Sequence, residues 1–430
     1  MASGKFFQPK IEKMTKKELE KLQLKRLKWT ITHAYRNNKV YKEKLQRAKM
    51  TPTNFKSLKD LEKIPFLTKD DLRAWYPFGL ACVDLKHVVE LHASSGTTGK
   101  PVVGLYTKHD LDVWAECMAR NLYMNTLRRE DLFQNAYGYG LFTGAHGFER
   151  GAQKVGALMA PLSSGNTQRQ IRLMKDFGTT AIGSTPSYAI YMAEVARQMD
   201  LDPTKDFKLR IATCGAESWS EEMRKKLESA WNIEAFDHYG LTEIIGPGVS
   251  SECPEHHGLH INADHFYPEI IDPATGETLG PGEKGEIVFT SLTKEAFPVL
   301  RFRTKDLTLL MDEKCKCGRC LPRHARLMGR SDDMMKVKGV IVFPRQIEEA
   351  VMAVNGASEN YLIVKSKTNL GYALKVRVEP STDFHGDKAV LSKAITSEIY
   401  AILNLDVPVE VVDIGALPRY EGKAKRVIEE

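Results

Sequence analysis

The feature that most constrains the fold is an alternation of short β-branched runs with amphipathic stretches between about residues 88 and 237. Seven runs predict strands: VVELHA, PVVGLYT, DLFQNAY, ALMAPL, TTAIGS, LRIATCG and IEAFD. Between them, apolar residues recur at helical spacing over 108–127, 167–177, 186–199 and 220–231. Strand–helix alternation of this kind indicates α/β layers around a mostly parallel sheet.

The pattern changes twice after this region. From about residue 258 to 311, short strands are separated by turn-rich stretches such as DPATGETLGPGEKGE, which indicates a β-rich subdomain. After GRSDD (329–333), the runs VIVF, YLIVKS, YALKVRVE and VEVVDI alternate with helices at 344–354 and 388–403. We therefore expect an α/β protein. Residues 1–330 are expected to form a large multi-layer N-terminal domain with mostly parallel sheets and a β-rich part at about 253–328, and residues 331–430 a small α+β C-terminal domain.

The positive charge of the chain is confined to its first fifty residues. They hold 15 Lys or Arg and 4 Asp or Glu, a net charge of +11, so the rest carries −4 of the formal total of +7. Apolar residues recur there at helical spacing, at Leu19, Leu22, Leu27, Ile31, Ala34 and Tyr35. This pattern favours a solvated amphipathic helix packed on the body. Binding to nucleic acid or to a membrane surface is the alternative.

Targeting and membrane signals are weak in this sequence. The longest apolar run, residues 155–162, is far shorter than the roughly 20 residues that span a bilayer. The first ten residues, MASGKFFQPK, lack the apolar core and the cleavage site of a signal peptide. We therefore expect a cytoplasmic protein that needs no membrane.

The seven cysteines fall into two groups. Three are isolated in apolar contexts, which predicts buried free thiols: Cys82, Cys117 and Cys214. The others are Cys253, beside the His-rich run ECPEHHGLH, and Cys315, Cys317 and Cys320 in the string CKCGRC. Clustered cysteines in a chain without a signal peptide indicate metal before disulfides. The C-x-C spacing is tighter than the usual C-x₂₋₄-C, so reduced, metal-free thiols are the alternative.

The string SSGTTGKP (94–101) is the most informative short motif. Its small and hydroxyl-bearing residues allow backbone N–H groups to close around phosphates, while a lysine offsets their charge. The residues that would do so are Ser94, Ser95, Gly96, Thr97, Thr98, Gly99 and Lys100. The spacing differs from a Walker A loop, and a strand-like run follows. A loop between two strands with no ligand is the alternative.

Four further strings follow this loop in order: YGLTE (239–243), RFRTKD (301–306), GRSDD (329–333) and LPRYEGKAKR (417–426). The set resembles the acyl-adenylate-forming superfamily of acyl-CoA synthetases, peptide-synthetase adenylation domains and luciferases. YGYGLFTGA (137–145), CGAESWSEEMR (214–224), YGLTEIIGPGVSSEC (239–253), DHFYPEIID (264–272) and GRSDDMMKVKGVIVFP (329–344) are similar to the phenylacetate–coenzyme A ligase branch. The resemblance covers residues 10–427.

The resemblance implies an ATP-dependent aryl-acid–CoA ligase. A carboxylate and ATP would give an acyl-AMP and pyrophosphate, and coenzyme A would then displace AMP. An adenylating enzyme with another acceptor, a carrier-protein thiol or a cofactor that receives AMP, is the first alternative. A basic, zinc-containing nucleic-acid-binding protein is a remote one. A homodimer is implied because dimers are common in this branch.

The resemblance also assigns roles to single residues. Lys423 would stabilise the charge that develops during adenylation, with Lys425 as the neighbouring candidate. Glu243 would bind Mg²⁺, and Thr242 would meet the phosphate. Asp306 and Arg330 would hold the ribose, although a plain buried ion pair is the alternative. The adenine pocket would be formed by Gly215, Ala216, Glu217, Asp237, His238, Tyr239 and Gly240. Asp332 would be the hinge of the mobile C-terminal domain.

The pocket for the acid would come from Tyr137, Phe142, Gly215, Ala216, Ile244 and Pro247, although apolar side chains are more often part of a core. No Arg or Lys is placed at its end, which argues against a dicarboxylic acid. His146 matches no family role; if it lines the pocket, it favours a substituted or heteroaromatic acid. A structural zinc in some members of the branch implies the ligands Cys253, His260, Cys315 and Cys317, with Cys320, His256 and His257 as substitutes.

Overall fold

The computed structural model describes residues 4–94, 100–337, 340–368, 371–420 and 424–430. Its α-helices there are α1 (Pro9–Glu12), α2 (Lys16–Asn37), α3 (Lys39–Arg47), α4 (Lys69–Ala74), α5 (Lys108–Met124), α6 (Thr143–Val155), α7 (Thr167–Phe177), α8 (Pro186–Gln198), α9 (Glu221–Trp231), α10 (Pro344–Ala353) and α11 (Lys388–Leu403). Short 3-10 helices lie at Leu58–Lys63 and Leu85–His87. No helix of this described part is long and apolar enough to cross a membrane.

The strands are β1 (Glu90–Ala93), β2 (Val103–Tyr106), β3 (Leu132–Asn135), β4 (Leu158–Ala160), β5 (Ala181–Ser184), β6 (Ile211–Gly215), β7 (Glu234–Leu241), β8 (Gly246–Glu252), β9 (Leu259–Ile261), β10 (Phe266–Ile271), β11 (Thr278–Leu279), β12 (Gly285–Ser291), β13 (Phe302–Thr308), β14 (Leu310–Met311), β15 (Arg323–His324), β16 (Gly329–Arg330), β17 (Met335–Val337), β18 (Val340–Val342), β19 (Ala357–Thr368), β20 (Gly371–Pro380), β21 (Val409–Val411) and β22 (Val427–Glu429). The predicted α/β class is confirmed.

The largest sheet has the strand order β14-β15-β9-β8-β7-β6-β5-β3-β4. It is parallel from β4 to β7, where helices supply the crossovers, and antiparallel from β7 to β14. The expected parallel sheet is thus the half built from β3 to β7. β1 and β2 do not join this sheet but pair with each other as an antiparallel hairpin. Their connection is too short for the crossover that parallel neighbours need.

Side-chain caps explain where several helices begin. Thr107, Thr185 and Ser220 precede α5, α8 and α9, and each side chain accepts a backbone N–H of the first turn. Helix α2 begins at a capping box formed by Thr15 and Glu18. Its residues Leu19, Leu27, Ile31 and Ala34 are buried in the main core. The interpretation of the basic N-terminal stretch as a helix packed on the body is therefore confirmed.

A second sheet, in the order β11-β10-β12-β13-β16, forms the β-rich region. It ends at β16, and the next strand, β17, belongs to a separate sheet of β18-β17-β20-β19-β22 with β21 beside β20. That sheet packs with α10 and α11 around its own core. We call residues 4–330 the body and residues 335–430 the C-terminal unit. The short connection between them contains Asp332.

Candidate active site

The turn between β7 and β8 lies at the centre of the candidate site. It carries Thr242 and Glu243, which are 7% and 6% exposed. The two strands approach so closely that a Cβ at Gly240 would lie 2.1 Å from the carbonyl oxygen of Gly246. Only glycine fits at that position, which explains the glycine of YGLTE.

Three buried side chains fix the backbone of this turn. The Lys294 ammonium donates to the carbonyl of residue 244 at 2.7 Å, the Tyr106 hydroxyl to that of residue 245 at 2.9 Å, and the Trp114 indole to that of residue 247 at 2.7 Å. Burial lowers the pKa of Lys294 to about 8. Sequence reasoning missed these three residues, because each looks like an ordinary core or surface residue in its own segment.

Glu243 already has a cationic partner in this structure. The ammonium of Lys69, the first residue of α4, lies 3.3 Å from its Oε1 atom. Sequence reasoning missed Lys69 as well, because it stands in the charged run TKDD, which is typical of an exposed helix start. A buried carboxylate with an exchangeable cation partner fits the chemistry of a Mg²⁺ ligand.

The β1–β2 hairpin, whose two strands flank the SSGTTGKP stretch in sequence, packs against the same turn. A Cβ at Gly104 of β2 would lie 3.2 Å from the carbonyl oxygen of Thr242. Ser94 closes the base of the loop, since its Oγ atom accepts the Val102 N–H at 2.9 Å. The Lys100 ammonium lies 5.7 Å from the ring centre of Tyr76. The predicted phosphate-binding residues Ser95, Gly96, Thr97, Thr98 and Gly99 lie outside the described residues.

The predicted ribose-binding residues are brought together. Asp306 and Arg330 face each other in neighbouring strands, and Arg330 Nη1 donates to Asp306 Oδ1 at 3.0 Å. The Tyr239 hydroxyl donates to Asp306 Oδ2 at 2.7 Å. Burial raises the pKa of Asp306 to about 6 despite the neighbouring guanidinium. Arg330 also pairs with Asp332, at 2.9 Å, so the connection to the C-terminal unit begins at this cluster.

The predicted adenine residues occupy two neighbouring strand ends. Gly215 ends β6, and a Cβ there would lie 2.8 Å from the carbonyl oxygen of His238. Ala216 follows with a φ of 68°. Burial raises the pKa of Asp237 to about 6. The ring of His238 points into the core, against Phe148 and Asn125, so only its backbone is placed for the expected nucleotide contact.

Glu217 has partners in both parts of the molecule. Its Oε2 atom accepts the Ser187 hydroxyl at 2.7 Å, near the start of α8. Its Oε1 atom accepts the backbone N–H of Ala424 at 2.6 Å, in the C-terminal unit. Ala424 directly follows Lys423, which lies outside the described residues.

The residues predicted to bind the acid differ in exposure. Tyr137 and Ile244 are buried in the main core, and the Tyr137 hydroxyl donates to the Ser184 carbonyl at 2.6 Å. Phe142 is 42% exposed. Pro247 packs against α6, since a Cβ at Gly147 would lie 2.5 Å from its Cγ atom. The acid pocket therefore stays a prediction.

His146 lies on α6, behind the aromatic stretch YGYGLF. Its Nε2 atom is 3.2 Å from the carbonyl oxygen of Gly140, and its ring is 4.7 Å from that of His92. His92 in turn contacts the carbonyl oxygen of Leu141 at 3.1 Å and the carboxylate of Glu90 at 2.7 Å. These two histidines hold the backbone that leads to Phe142. Burial lowers the pKa of His146, so its neutral form is favoured.

The structure brings the four expected zinc ligands together. The Sγ atoms of Cys253 and Cys315 are 3.6 Å apart, and Sγ of Cys317 is 3.4 Å from Nε2 of His260. All four ligand atoms lie within 4.8 Å of one another. A tetrahedral zinc site with bonds of about 2.0–2.3 Å has edges of roughly 3.3–3.8 Å, so the residues fit the metal.

The second nitrogen of His260 supports the same arrangement. Its Nδ1 atom lies 3.3 Å from the carbonyl oxygen of Leu321, which favours the tautomer with Nε2 free to bind. The possible substitutes lie elsewhere. Cys320 is exposed, His256 pairs with Glu234 at 3.1 Å, and the His257 side chain is 60% exposed.

Comparison with known proteins identifies the class and then the family. Residues 13–293, more than half of the chain, match the family described as "AMP-binding enzyme", and residues 339–430 match "AMP-binding enzyme C-terminal domain". The fold and the site therefore define an AMP-binding enzyme. The phenylacetate–coenzyme A ligase of Aromatoleum evansii is 43% identical over 426 residues, which cover 97% of this chain and 96% of that protein. The chain belongs to the phenylacetate–coenzyme A ligase family, and it is an AMP-forming acid–thiol ligase.

Solved structures of a 2-hydroxyisobutyryl-CoA ligase in two states differ in how closely they match the present structure. The structure described as the postadenylation state, with an acyl-AMP, matches with a TM-score of 0.94 at 28% identity, covering 100% of this chain and 93% of that one. The structure in the thioesterification state matches with a TM-score of only 0.75 at 29% identity, with the same coverage. The present structure is thus similar to the state that follows adenylation.

Proposed function

We propose that the chain converts an aryl carboxylic acid, phenylacetate before others, into its CoA thioester with ATP. The carboxylate oxygen attacks the α-phosphorus of ATP, and the bond from that phosphorus to pyrophosphate breaks. The CoA sulfur, after losing its proton, then attacks the acyl carbon, and the bond to AMP breaks. The observation that carries the proposal is the 43% identity with a phenylacetate–coenzyme A ligase over nearly the whole chain.

The arrangement of the described residues supports a division of roles. Thr242 and Glu243 lie on a fixed turn against the β1–β2 hairpin, which supports the proposal that they meet the triphosphate. Glu243 would hold Mg²⁺, which neutralises phosphate charge when bound. Asp306 and Arg330 would hold the ribose, and the ends of β6 and β7 would hold adenine. Lys423 would stabilise the charge of the adenylation transition state.

The remaining features belong to the same proposal. Asp332 would be the hinge on which the C-terminal unit turns between the two half-reactions. Cys253, His260, Cys315 and Cys317 would bind a structural zinc, since a closed set of four ligands leaves no open position for catalysis. A homodimer rests on the resemblance alone, and a cytoplasmic location is the expectation from the sequence. Light scattering after size-exclusion chromatography and cell fractionation test them.

The decisive experiment measures AMP release from ATP and Mg²⁺ with a panel of aryl and aliphatic acids, with and without coenzyme A. We expect AMP only when phenylacetate or a close aryl acid is present together with coenzyme A. Equal AMP release without coenzyme A would indicate that the acyl or adenylyl group is transferred to another acceptor. An equal rate with aliphatic acids would refute the aryl specificity, and folded protein that releases no AMP would refute the mechanism.

A further inference from the structure

A single carboxylate links the body to the chain segment that follows the expected catalytic lysine. Glu217 lies in the body, just after β6, and accepts the backbone N–H of Ala424 at 2.6 Å. The bond is short, and its acceptor is a carboxylate, so it belongs to the stronger class of hydrogen bonds. It joins two residues that are 207 positions apart in the sequence.

The Glu217 carboxylate is itself held in place by α8. The Ser187 hydroxyl lies 2.7 Å from its Oε2 and 2.9 Å from its Oε1 atom, and the Ser187 N–H is 3.4 Å from Oε2. Ser187 is the second residue of α8, where free N–H groups and the helix dipole favour a negative charge. The acceptor is therefore fixed before the C-terminal unit docks.

Other bonds on the same segment come from within the C-terminal unit. The Tyr420 hydroxyl donates to the carbonyl oxygen of Lys425 at 3.1 Å, and the Ile363 N–H donates to that of Arg426 at 2.7 Å. These bonds move with the unit when it turns. The bond from Glu217 crosses to the body, so it exists only in an arrangement similar to the present one, which matches the postadenylation state.

We propose that Glu217 is a positioning residue for adenylation, which holds the backbone at Ala424 against the body while the C-terminal unit is docked. The inference rests on the proposed function, because it needs Lys423 as the group that stabilises the transition state. It differs from the expected role of Glu217 in the adenine pocket. An adenine contact would set the affinity for ATP, whereas a positioning contact sets the rate of adenylation and leaves that affinity unchanged.

The test compares Glu217→Ala and Glu217→Gln in the two half-reactions. Adenylation is followed by acid-dependent exchange of pyrophosphate into ATP, and thioester formation by adding coenzyme A to preformed phenylacetyl-AMP. For Glu217→Ala we expect kcat for exchange to fall about 10-fold to 100-fold, since small errors in placing a catalytic group have effects of this size. KM for ATP and the thioester step stay unchanged. Glu217→Gln keeps an acceptor oxygen, so its kcat for exchange should fall less than that of Glu217→Ala.

A double-mutant cycle shows whether Glu217 acts through Lys423. In a Lys423→Ala background, Glu217→Ala should lower kcat for pyrophosphate exchange no further. Glu222→Ala is the matched control, because it removes a carboxylate of α9 in the body and leaves the bond from Glu217 to Ala424 in place. That control should keep the wild-type rate of exchange in both backgrounds. Additive losses for Glu217 would overturn the proposal.

Two more results for Glu217→Ala would overturn the proposal. One is a rise in KM for ATP at constant kcat, and the other is an equal fall in the rates of both half-reactions. Hydrogen exchange supplies a readout that does not depend on activity. The peptide that contains Ala424 should exchange faster in Glu217→Ala than in the wild type, and equal exchange would refute the bond. Wild-type protein with no pyrophosphate exchange would refute the proposed function, while the hydrogen-exchange comparison would still decide the contact.

Discussion

Asp306 is a single residue whose ionisation should be visible in the affinity for ATP. Its carboxyl group faces Arg330, Tyr239, Asp332 and Glu243, and burial raises its pKa to about 6. In the proposed role, both oxygens of the ionised form accept from the ribose hydroxyls, whereas protonation turns one of them into a donor. We therefore expect KM for ATP to rise as the pH falls below about 6, while the same profile is flat above pH 7.

Asp306→Asn isolates this effect. The variant should have a KM for ATP about 10-fold higher at pH 7.5, the size expected for the loss of a charged hydrogen-bond acceptor, and no rise between pH 7 and 5. Steady-state kinetics across that range measure both. Asp312→Asn, at an exposed aspartate, is the control and should keep the wild-type profile. A pH-dependent KM that survives in Asp306→Asn would contradict the assignment.

Lys69 offers a second test at the residue scale. Its ammonium lies 3.3 Å from Glu243, the residue that is proposed to hold Mg²⁺ beside the triphosphate. We expect Lys69 to turn from Glu243 to a phosphate when ATP binds. Lys69→Ala should then raise KM for Mg-ATP about 10-fold, and Lys69→Arg should recover part of the loss. An unchanged KM in Lys69→Ala would show that the pair is only a surface contact.

These residues show what the sequence could and could not predict about the site. Asp306 and Arg330 stand in short strings whose order is specific, and the structure confirms that they are paired. The sequence does not indicate the contacts of Lys69 and Lys294. Each contact joins segments that are far apart in the sequence and meet only at the turn between β7 and β8. The nucleotide contact of His238 stays a prediction for its backbone, because its ring lies in the core, where burial lowers its pKa to about 3.

Helix α6 is a whole element that the sequence does not predict. The sequence TGAHGFERGAQKV contains Gly144, Gly147 and Gly151, and glycine lowers helix propensity, so no helix was predicted there. The structure needs those glycines because α6 packs closely. A Cβ at Gly151 would lie 2.6 Å from the Cβ of Met118 on α5. Close packing therefore outweighs local propensity. In contrast, α7 and α11 have the predicted bounds, since their apolar spacing is regular.

The proposed zinc site should be tested through the elements that it would join. Cys253 follows β8, His260 lies in β9, and Cys315 and Cys317 lie between β14 and β15. Metal would thus fix the antiparallel edge of the largest sheet. The same edge holds α1, because the Cys320 N–H donates to the carbonyl oxygen of Glu12 at 2.7 Å.

We expect purified protein to contain one zinc per chain by elemental analysis. Cys317→Ser should lose it and unfold at a lower temperature, whereas Cys320→Ser should keep both metal and stability. Chelation should speed hydrogen exchange in residues 8–13 and 315–324 and leave the parallel strands unchanged. Zinc-free protein with full stability would mean that the thiols are simply reduced and packed.

At the scale of the whole molecule, the docking of the C-terminal unit should depend on pH. Glu194 of α8, in the body, meets Glu359 of β19, in the C-terminal unit, while Lys226 and Arg419 lie close to the pair. Burial, followed by the charge of Glu359, raises the pKa of Glu194 to about 7. When the unit turns away, Glu194 returns toward its ordinary value of 4.5. The docked state therefore binds more protons between pH 4.5 and 7.

It follows that a rise in pH through this window weakens docking, by about 1–3 kcal/mol between pH 5 and 8. Energy transfer between dyes on the body and on the C-terminal unit measures the docked fraction. We expect that fraction to fall as the pH rises in the wild type and to stay constant in Glu194→Gln, with Glu222→Gln as a control that keeps the wild-type slope. If adenylation uses the docked arrangement and thioester formation another, as proposed, the same change should shift the slow step from the second half-reaction toward the first. A docked fraction that grows with pH would show that Glu194 does not take up a proton on docking.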